Sequence, residues 1–394
     1  MKEIKLVLKQ DREKPVEARH PWIFSGAIDL IDEDFEPGDI VKVYSAKGEF
    51  LGKGYLNPRS EIAVRMLTYE DEEINRDFFE KRIKDAVELR ERFIDSDTNA
   101  YRLINAEGDF LPGLVVDRYG SYLVVQVHTV GMEKFKQDWI EVLKGLLSVK
   151  GIYEKDDAEF RYEEGLEDRI ETLWGEEPPD FVEIREHGVK FIVDVKRGQK
   201  TGFFLDQREN RNILGKLAQD KHVLNTFAYT GGFSVCCALG GASSVTSVES
   251  SESALNTCVH NFELNKINPA RHKFVKGDVF EYLRKTQEEY DLVILDPPAF
   301  AQSKNQLIQA SRGYKDINLW AMKRLKAGGL LFSSSCSSYI SMDLFQKIVF
   351  GAAKDAKRHL QILAKTSHPY DHPVSVYHPE GEYLKSLLCR VLYL

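Results

Sequence analysis

The strongest constraint on the fold is an alternation of short apolar runs with helical segments, which begins at about residue 181. Such runs are typical of strands buried on both faces of a sheet, with helices as the crossover connections. The predicted strands span residues 190–195, 222–227, 244–249, 273–276, 291–295 and 330–334. A helix near 342–354 follows, and closing strands near 361–365 and 383–392 predict a hairpin at the sheet edge. We therefore predict an α/β domain at 181–394 with a doubly wound, mostly parallel sheet and an antiparallel edge strand.

The part of the chain before residue 181 has a different pattern. Up to about residue 72, short apolar runs alternate with turn-forming residues, which predicts a small β domain. Residues 73–180 predict a middle α+β domain, with helices near 75–93 and 133–147 and a strand at 122–128. The acidic and proline-rich residues 176–180 are typical of a linker.

Bulk composition places the chain among globular proteins of two or three domains. It has 394 residues, of which 43% are hydrophobic and 29% charged. No apolar run approaches the roughly 20 residues that span a bilayer, and no apolar signal core is present near Met1, so we expect a cytoplasmic protein. The five cysteines show no Cys-x-x-Cys spacing, so we expect neither a metal site nor a disulfide framework.

A nucleic-acid contact is indicated near the amino terminus in spite of the net charge of −8. That charge does not favour indiscriminate binding, but local basic patches can still hold phosphate. Arg19 stands close to Trp22 and Phe24, and a basic group beside an exposed aromatic ring can hold an RNA backbone and stack a base. The alternative interpretation is that Trp22 and Phe24 are core residues of a small domain.

A glycine turn after the 222–227 strand predicts a cofactor cleft. Phe227 ends the strand, and Tyr229, Thr230, Gly231 and Gly232 lead into an apolar helix. Glycines at the carboxyl end of a strand allow a ligand to approach the backbone closely. The Gly-x-Gly-x-x-Gly fingerprint and the Gly-Lys-Ser/Thr phosphate loop are both absent, which disfavours a pyrophosphate ligand.

Acidic residues after the next two strands complete the predicted cleft. Glu249 ends the 244–249 strand and is placed to accept the hydroxyls of a ribose, and Asp278 follows the 273–276 strand and is placed to bond an adenine amino group. Ribose and adenine contacts without a pyrophosphate cradle indicate S-adenosylmethionine. The ordered set Gly231, Glu249, Asp278 and Asp296 carries this prediction.

A carboxylate and a thiol follow the next two predicted strands. Asp296 precedes Pro297 and Pro298, which stop the strand and fix the exit of the chain. Cys336 follows the 330–334 strand among serines, in contrast to cysteines in apolar runs, which are usually inert. Because the 291–295 and 330–334 strands are expected to be neighbours in a doubly wound sheet, Cys336 is predicted to face Asp296 across one pocket, where a partly exposed thiol can become a nucleophile.

This pair of groups predicts methylation of cytosine at C5. Addition of a thiolate to C6 makes C5 nucleophilic enough to take a methyl group from a sulfonium, and Asp296 can stabilise the base at N3. The base must leave its stack to reach the pocket. A methyltransferase that acts on an amine or a ring nitrogen has no need of Cys336.

With these residues in view, the chain resembles the bacterial PUA-domain-containing 23S rRNA (cytosine-C5)-methyltransferases over almost its whole length. The motifs that carry the resemblance are Gly198-Gln199-Lys200-Thr201-Gly202-Phe203-Phe204-Leu205-Asp206-Gln207-Arg208, Phe227-Ala228-Tyr229-Thr230-Gly231-Gly232-Phe233-Ser234, Asp296-Pro297-Pro298, Gly313-Tyr314-Lys315-Asp316-Ile317-Asn318 and Ser335-Cys336-Ser337. Residues 371–373 and 379–385 are also similar to that family.

The resemblance implies a fold and a set of roles. It implies a β-barrel-like PUA domain at 1–72, a middle domain at 73–180 and a Rossmann-like class I methyltransferase domain at 181–394. Phe203, Asp206 and Gln207 would line the donor site, together with the turn residues and acids described above, and Cys336 would attack the base. Apart from the resemblance, we expect Pro297, Pro298 and Lys315 to contact the substrate, together with Arg19 and Trp22.

One departure from related enzymes leaves a gap in the predicted chemistry. Many RNA cytosine-C5 methyltransferases have a second cysteine after the motif proline, where this chain has Pro298-Ala299. The group that removes the C5 proton and expels the thiol is therefore unassigned, with Asp206 and Lys315 as candidates.

Two other functions stay open from the sequence. One is a methyltransferase that acts on another base atom, such as a guanine nitrogen. The other is an RNA-binding ribosome assembly factor with a vestigial donor site. The expected partner is large-subunit ribosomal RNA, and a homodimer is compatible with the sequence.

Overall fold

The computed structural model describes residues 4–157 and 161–393, which fall into two compact units. The first unit comprises the chain up to Ile184, Val193–Leu205 and Tyr370–Gly381. The second comprises Arg185–Ile192, Asp206–Pro369 and the segment from Glu382 onward. The three predicted domains, 1–72, 73–180 and 181–394, stay a prediction. No helix in the described residues is both long enough and apolar enough to cross a membrane.

The first unit contains two β-sheets. Strands β1–β6 form a six-stranded sheet in the order β2-β6-β5-β4-β1-β3, and β7–β11 form a five-stranded sheet in the order β11-β10-β9-β8-β7. The strands are β1 Ile4–Leu8, β2 Trp22–Phe24, β3 Ile28–Ile31, β4 Ile40–Tyr44, β5 Phe50–Leu56, β6 Ile62–Thr68, β7 Ala100–Asn105, β8 Leu114–Tyr119, β9 Tyr122–Val127, β10 Gly151–Asp156 and β11 Arg169–Gly175.

Two helices in the described part of the first unit are capped at their amino termini by polar side chains. The helices of this unit are α1 Lys14–Glu17, α2 Arg76–Phe93, α3 Val130–Lys134, α4 Lys136–Leu146 and α5 Arg161–Glu164, with 3₁₀ turns at Ser25–Ala27, Ala106–Asp109 and Pro379–Gly381. Asn75 accepts a hydrogen bond from the backbone N–H of Phe78 and so starts α2, as expected for a cap residue. The helix predicted near 133–147 is two helices, because the backbone of Phe135 leaves the helical conformation.

The first strand predicted for the large sheet lies elsewhere. It is β13, Val189–Val193, and it pairs with β12, Val182–Glu186, in a two-stranded sheet. His187 and Gly188 between them both have positive φ, 48° and 79°, which is the signature of a tight hairpin turn. Such a turn brings adjacent strands together before a crossover to a parallel sheet can form.

The second unit is built on a seven-stranded sheet in the order β16-β15-β14-β17-β18-β20-β19. Its strands are β14 His222–Thr226, β15 Ser244–Glu249, β16 Lys273–Lys276, β17 Tyr290–Leu295, β18 Leu325–Ser335, β19 Arg358–Thr366 and β20 Lys385–Tyr393. Strands β14 to β18 are mutually parallel, and β20 is antiparallel to both β18 and β19. The predicted closing hairpin is therefore confirmed, with its antiparallel strand one position inside the edge.

One helix precedes the first strand of this sheet, and the others connect its successive strands up to β19. The helices are α6 Arg208–Lys216, α7 Gly232–Leu239, α8 Glu252–Leu264, α9 Val279–Lys285, α10 Leu307–Arg324 and α11 Met342–Ala356, with 3₁₀ turns at Leu205–Gln207, Pro269–Arg271 and Lys304–Gln306. The core of this unit joins apolar residues of the central strands to α10 and α11, such as Val293, Leu331, Ile317 and Phe345. These contacts hold the carboxyl ends of β17 and β18 in place.

The strand before Cys336 begins earlier than predicted. The sequence predicts a strand only over residues 330–334, but α10 ends at Arg324 and β18 starts directly after it, at Leu325. The register against β17 jumps from Leu325 to Leu330, so the intervening residues bulge out of the ladder. Gly328 makes this possible with a φ of 79°.

A buried ion pair supports the first unit. Arg90 of α2 is 1% exposed and donates two hydrogen bonds to Asp109, at 2.6 and 2.8 Å. It also donates to the carbonyl oxygens of Arg102 at 2.8 Å and Asp371 at 2.7 Å. Removal of the cation would leave a buried carboxylate without its counter-charge.

We expect Arg90→Ala to lower the free energy of unfolding of the first unit by about 3–5 kcal/mol. Urea unfolding followed by tryptophan fluorescence tests this, because Trp22, Trp139 and Trp174 lie in the first unit and only Trp320 in the second. The exposed Arg92 on the same helix provides the control, and Arg92→Ala should cost less than about 0.5 kcal/mol. Equal stability of the two variants would contradict this assignment.

Candidate active site

The carboxyl ends of five parallel strands bring most of the predicted site residues of the second unit to one edge of the sheet. Register places Thr226 beside Val248 and Leu295, Glu249 beside Lys276, and Leu295 beside Ser333. The loops that follow these strands carry the glycine turn, the two acids, the Asp-Pro-Pro segment and the Cys336 loop. This edge is where open α/β sheets bind their ligands.

The glycine turn after β14 has an unusual backbone conformation. Phe227, Tyr229 and Gly231 all have positive φ, of 53°, 48° and 81°. A Cβ on Gly231 would come within 2.2 Å of the Sγ atom of Cys258, so no side chain can be accommodated there. Gly232 begins α7, whose amino terminus therefore follows the turn directly and favours negative charge.

Glu249 fixes this turn from the end of β15. One of its carboxylate oxygens accepts a hydrogen bond from the backbone N–H of Tyr229 at 2.8 Å. The other accepts from the backbone N–H of Ser251 at 2.9 Å. Asp278 is exposed after β16 and caps α9, accepting from the backbone N–H of Glu281 at 2.8 Å. Each carboxylate retains lone pairs for a ligand hydroxyl or amine.

A buried hydroxyl beside the turn is suited to a polar ligand. Thr230 is 9% exposed, and among the described residues its Oγ1 atom finds no hydrogen-bond partner. Its carbonyl oxygen is held by the side-chain amide of Asn261 at 2.9 Å. An unsatisfied buried hydroxyl is costly, so this atom and the open backbone at Gly231 suit a ligand such as the predicted methyl donor.

The Asp296 carboxylate is oriented by a buried amide. The Nε2 atom of Gln207 donates to Asp296 at 2.7 Å, and the Oε1 atom of Gln207 accepts from Asn210 at 2.6 Å. Asp296 itself is partly exposed, Pro297 is buried and Pro298 is exposed. The carboxylate therefore sits at the rim of the site on a rigid turn.

The thiol of Cys336 reaches the Asp-Pro-Pro turn. Its Sγ atom contacts the carbonyl oxygen of Pro297 at 3.8 Å, and the residue is partly exposed. The other four cysteines are buried, and burial raises the thiol pKa of three of them, Cys236, Cys258 and Cys389, to about 12. Cys336 is thus the accessible thiol of the described chain.

The two candidate proton carriers differ in their surroundings. Asp206 is buried and accepts a hydrogen bond from the hydroxyl of Tyr383 at 2.7 Å. Lys315 lies on α10 with its ammonium 2.6 Å from Asp355 of α11. The described contacts of Lys315 do not include Cys336 or Asp296, so its assignment as a proton carrier gains no support.

Three predicted site residues belong to the first unit. Phe203 is buried, and its backbone N–H donates to the hydroxyl of Tyr119 at 3.2 Å. Arg19 lies over the ring of Tyr69, at 5.9 Å from its centroid. Trp22 donates to Glu107 at 2.8 Å.

Neither aromatic residue near Arg19 is a core residue. Trp22 is partly buried, under the guanidinium of Arg65, and Phe24 is 51% exposed. Only Ile23 between them points into the core, at 2% exposure. The core alternative for Trp22 and Phe24 is therefore wrong.

Two ionisable side chains near the thiol escaped the sequence reasoning. Burial and then the negative charges of Cys336 and Asp296 raise the pKa of Tyr314 to about 12, against an opposing effect of Ser335, so the phenol stays neutral. Lys385 begins β20 opposite Ser335, and its Nζ atom donates to the carbonyl oxygen of Ser337 at 2.7 Å. The available signal for Lys385 was a lysine at the start of a strand in which most of the other residues are apolar.

The first unit also holds a cluster of three carboxylates, from Glu133, Glu154 and Asp156. Lys136 lies 2.6 Å from Glu133 and 2.7 Å from Glu154, and Arg161 lies 2.5 Å from Asp156. Burial raises the pKa of Asp156 to about 9. Because protein cations already compensate this cluster, we assign no metal ion to it.

Comparison with known proteins identifies the family. Residues 159–388 match a family model described as S-adenosylmethionine-dependent methyltransferase, and residues 6–69 match a PUA-like domain. Ribosomal RNA large subunit methyltransferase I of Tolumonas auensis is 46% identical over 98% of both chains. The protein of that name from Aliivibrio fischeri is 44% identical over 99% of this chain and 100% of its own. The chain belongs to this family of S-adenosylmethionine-dependent methyltransferases.

Solved structures agree with this family assignment. A Streptococcus mutans protein described as a candidate S-adenosylmethionine-dependent methyltransferase has a TM-score of 0.84 at 28% identity, covering 98% of this chain and 99% of its own. Another candidate methyltransferase, in complex with SAH, has a TM-score of 0.85 at 27% identity, covering 99% of this chain and 100% of its own. The predicted family, fold class and methyl donor are confirmed, whereas the individual donor-site residues stay predictions.

We expect Gly231→Ala to weaken binding of S-adenosylhomocysteine at least about tenfold, because the turn cannot keep both its left-handed backbone and a Cβ atom. The added atom meets the Cys258 sulfur at 2.2 Å. Isothermal titration calorimetry of the full chain measures the effect.

Gly351→Ala is the matched control for that measurement. Gly351 lies within α11, where an added Cβ would stand 3.6 Å from the nearest atom, on Lys315, an ordinary contact. The affinity of Gly351→Ala for S-adenosylhomocysteine should equal that of the unaltered chain. Unchanged affinity in Gly231→Ala would show that the turn does not form the donor site.

Proposed function

We propose that this protein transfers a methyl group from S-adenosylmethionine to C5 of a cytosine in large-subunit ribosomal RNA, with Cys336 as the nucleophile. The observation that carries the proposal is the 3.8 Å contact between the Cys336 sulfur and the Pro297 carbonyl oxygen. That contact puts an accessible thiol beside the turn that carries Asp296. The relatives named for activity on large-subunit rRNA support the substrate class.

Cys336 supplies the covalent step. Its thiolate adds to C6 of the cytosine, and the electron pair of the C5–C6 bond moves to C5. C5 forms a bond to the methyl group as the bond from that methyl to the donor sulfur breaks, and the electron pair of the broken bond stays on the donor sulfur. A base then removes the C5 proton, the C5–H electron pair re-forms the C5–C6 double bond, and the C6–S bond breaks to return the thiolate. The donor, when bound, supplies an electrophilic methyl group on a positively charged sulfur.

Asp296 holds the polar edge of the base during this sequence. Gln207 occupies one carboxylate oxygen at 2.7 Å and so fixes the plane of the group. The partly exposed side of Asp296 can then meet N3 and the amino group of cytosine as charge develops. Pro297 and Pro298 restrict the backbone after Asp296, so the carboxylate stays in a fixed position.

The remaining donor-site and proton-transfer roles are part of the same proposal. Phe227, Tyr229, Thr230 and the two glycines would hold the donor, with Glu249 on its ribose and Asp278 on its adenine. Asp206 is the better candidate for removal of the C5 proton, because it directly precedes Gln207, whose amide donates to Asp296 at 2.7 Å.

The PUA-like domain would guide the RNA. Arg19 over Tyr69 and the exposed ring of Phe24 offer a cation and a stacking surface in the first unit. Trp22 is already engaged by Glu107 and Arg65, so it would support this surface instead of stacking a base. A homodimer and action in the cytoplasm, where ribosomes assemble, stay predictions.

Cys336→Ala should lower formation of 5-methylcytidine at least about 10³-fold, because the reaction loses its nucleophile. The assay uses labelled S-adenosylmethionine and 23S rRNA that lacks the modification, followed by nucleoside mass spectrometry. Binding of S-adenosylhomocysteine should be unchanged in this variant.

Cys389→Ala is the matched control, since Cys389 is a buried thiol of the same sheet, paired with Leu331 of β18. It should retain methylation. A methylated guanosine, formed equally well by Cys336→Ala, would instead identify an enzyme that acts on another atom. RNA binding without donor binding would identify the vestigial assembly factor.

A further inference from the structure

Lys385 is a buried cation without a conventional ion pair. It is 2% exposed, at the start of β20, and register places it opposite Ser335 of β18. Its ammonium donates to the Ser337 carbonyl oxygen at 2.7 Å, and no carboxylate among the described residues forms an ion pair with it. A carbonyl group carries only a partial charge, and buried lysines are rarely left without a full counter-charge.

The groups around Lys385 leave one candidate for that counter-charge. On the segment before β20, Glu382 is exposed, so water screens its carboxylate. After β17, Asp296 is engaged by Gln207, and on α10 Tyr314 stays neutral. After β18 stands Cys336, the residue directly before the Ser337 carbonyl that holds the ammonium.

We propose that Lys385 is the counter-ion of the Cys336 thiolate and positions it for attack. The hydrogen bond to Ser337 fixes the ammonium beside the Cys336 loop, and the antiparallel pairing of β20 with β18 fixes the lysine backbone. This inference rests on the proposed function, because it explains how the proposed nucleophile becomes anionic.

The pKa of Lys385 supports its pairing with the Cys336 thiolate. Burial lowers the pKa of Lys385 to about 8, while negative charge on Cys336 and then on Glu382 opposes that shift. The interaction is reciprocal, so a charged Lys385 lowers the pKa of the Cys336 thiol. An ordinary cysteine has a pKa of about 8.5 and is only a few per cent thiolate at neutral pH.

The proton balance follows from these charges. The Cys336 thiol loses its proton to water, and Lys385 keeps its own, so the pair is a thiolate and an ammonium. The lysine charge is complete well below pH 8 and is lost as the pH rises through about 8. Lys385 therefore stabilises the thiolate over the pH range between the lowered pKa of the Cys336 thiol and a pH of about 8.

The test is the pH dependence of alkylation of Cys336 by iodoacetamide, which reacts with thiolates. The full chain is treated without RNA or donor from about pH 5.5 to 9.5, and the Cys336 peptide is quantified by mass spectrometry. In Lys385→Met the midpoint should rise by at least about one pH unit, so that alkylation near pH 7 slows about tenfold. Lys385→Arg keeps a positive charge and should stay close to the unaltered chain.

Lys326→Met is the control lysine, because it removes a cation from the other end of β18, where Lys326 pairs with Asp291 at 3.0 Å. Its midpoint should not move. Thermal unfolding and binding of S-adenosylhomocysteine show whether each variant is folded. If Lys385→Met is not folded, the ultraviolet thiolate absorbance of the unaltered chain minus that of Cys336→Ala gives the thiol pKa directly.

An unshifted midpoint in folded Lys385→Met, or a thiol pKa at or above about 8.5 in the unaltered chain, overturns the pairing. Those results leave the proposed function intact if Cys336→Ala still abolishes methylation. Full methylation by Cys336→Ala would contradict the proposed function. If the midpoint of Cys336 alkylation were nevertheless shifted in Lys385→Met, the ion pair would still be supported.

Discussion

The parallel pairing of β17 with β18 is the constraint on which the rest of the site depends. Leu295 stands beside Ser333, so both strands release their chains at one edge of the sheet. The Asp-Pro-Pro turn and the Cys336 loop therefore meet, and the thiol contacts the Pro297 carbonyl at 3.8 Å. A slip of one residue in this pairing would turn the side chains that follow to the opposite face.

The antiparallel strand β20 also determines which side chains lie at that edge of the sheet. It runs against β18, so its first residue reaches the point where β18 ends. This brings one buried lysine to a loop whose other polar groups are the Cys336 thiol, serine hydroxyls and the Ser337 carbonyl. A strand with the opposite direction would place its last residue there, and the charge of the pocket would differ.

Sequence reasoning found the parts of the site that follow strands directly. The glycine turn, Glu249, Asp278, Asp296 and Cys336 each come just after an apolar run, and parallel strands gather such positions at one edge. It could not find contacts that depend on register between distant segments. The amide of Gln207 reaches Asp296 across 89 positions, and Lys385 reaches Ser337 across 48.

The same limit explains where the fold differed from expectation. Residues 190–195 had the composition of a sheet strand, but the left-handed pair His187 and Gly188 diverted them into a local hairpin. The strand predicted at 330–334 begins at Leu325 in the structure, and the glycines after Lys326 form a bulge inside it. In both places a positive φ, which composition only hints at, decided the path of the chain.

The most direct measurement is peptide mapping of the chain after reaction with S-adenosylmethionine and a 23S rRNA fragment that contains 5-fluorocytidine. Fluorine at C5 cannot leave as a proton, so an adduct that has accepted the methyl group cannot release the enzyme. We expect a methylated fluorocytidine joined to the peptide that carries Cys336. A chain that methylates ordinary RNA but forms no such adduct, or forms it on another residue, would contradict the account.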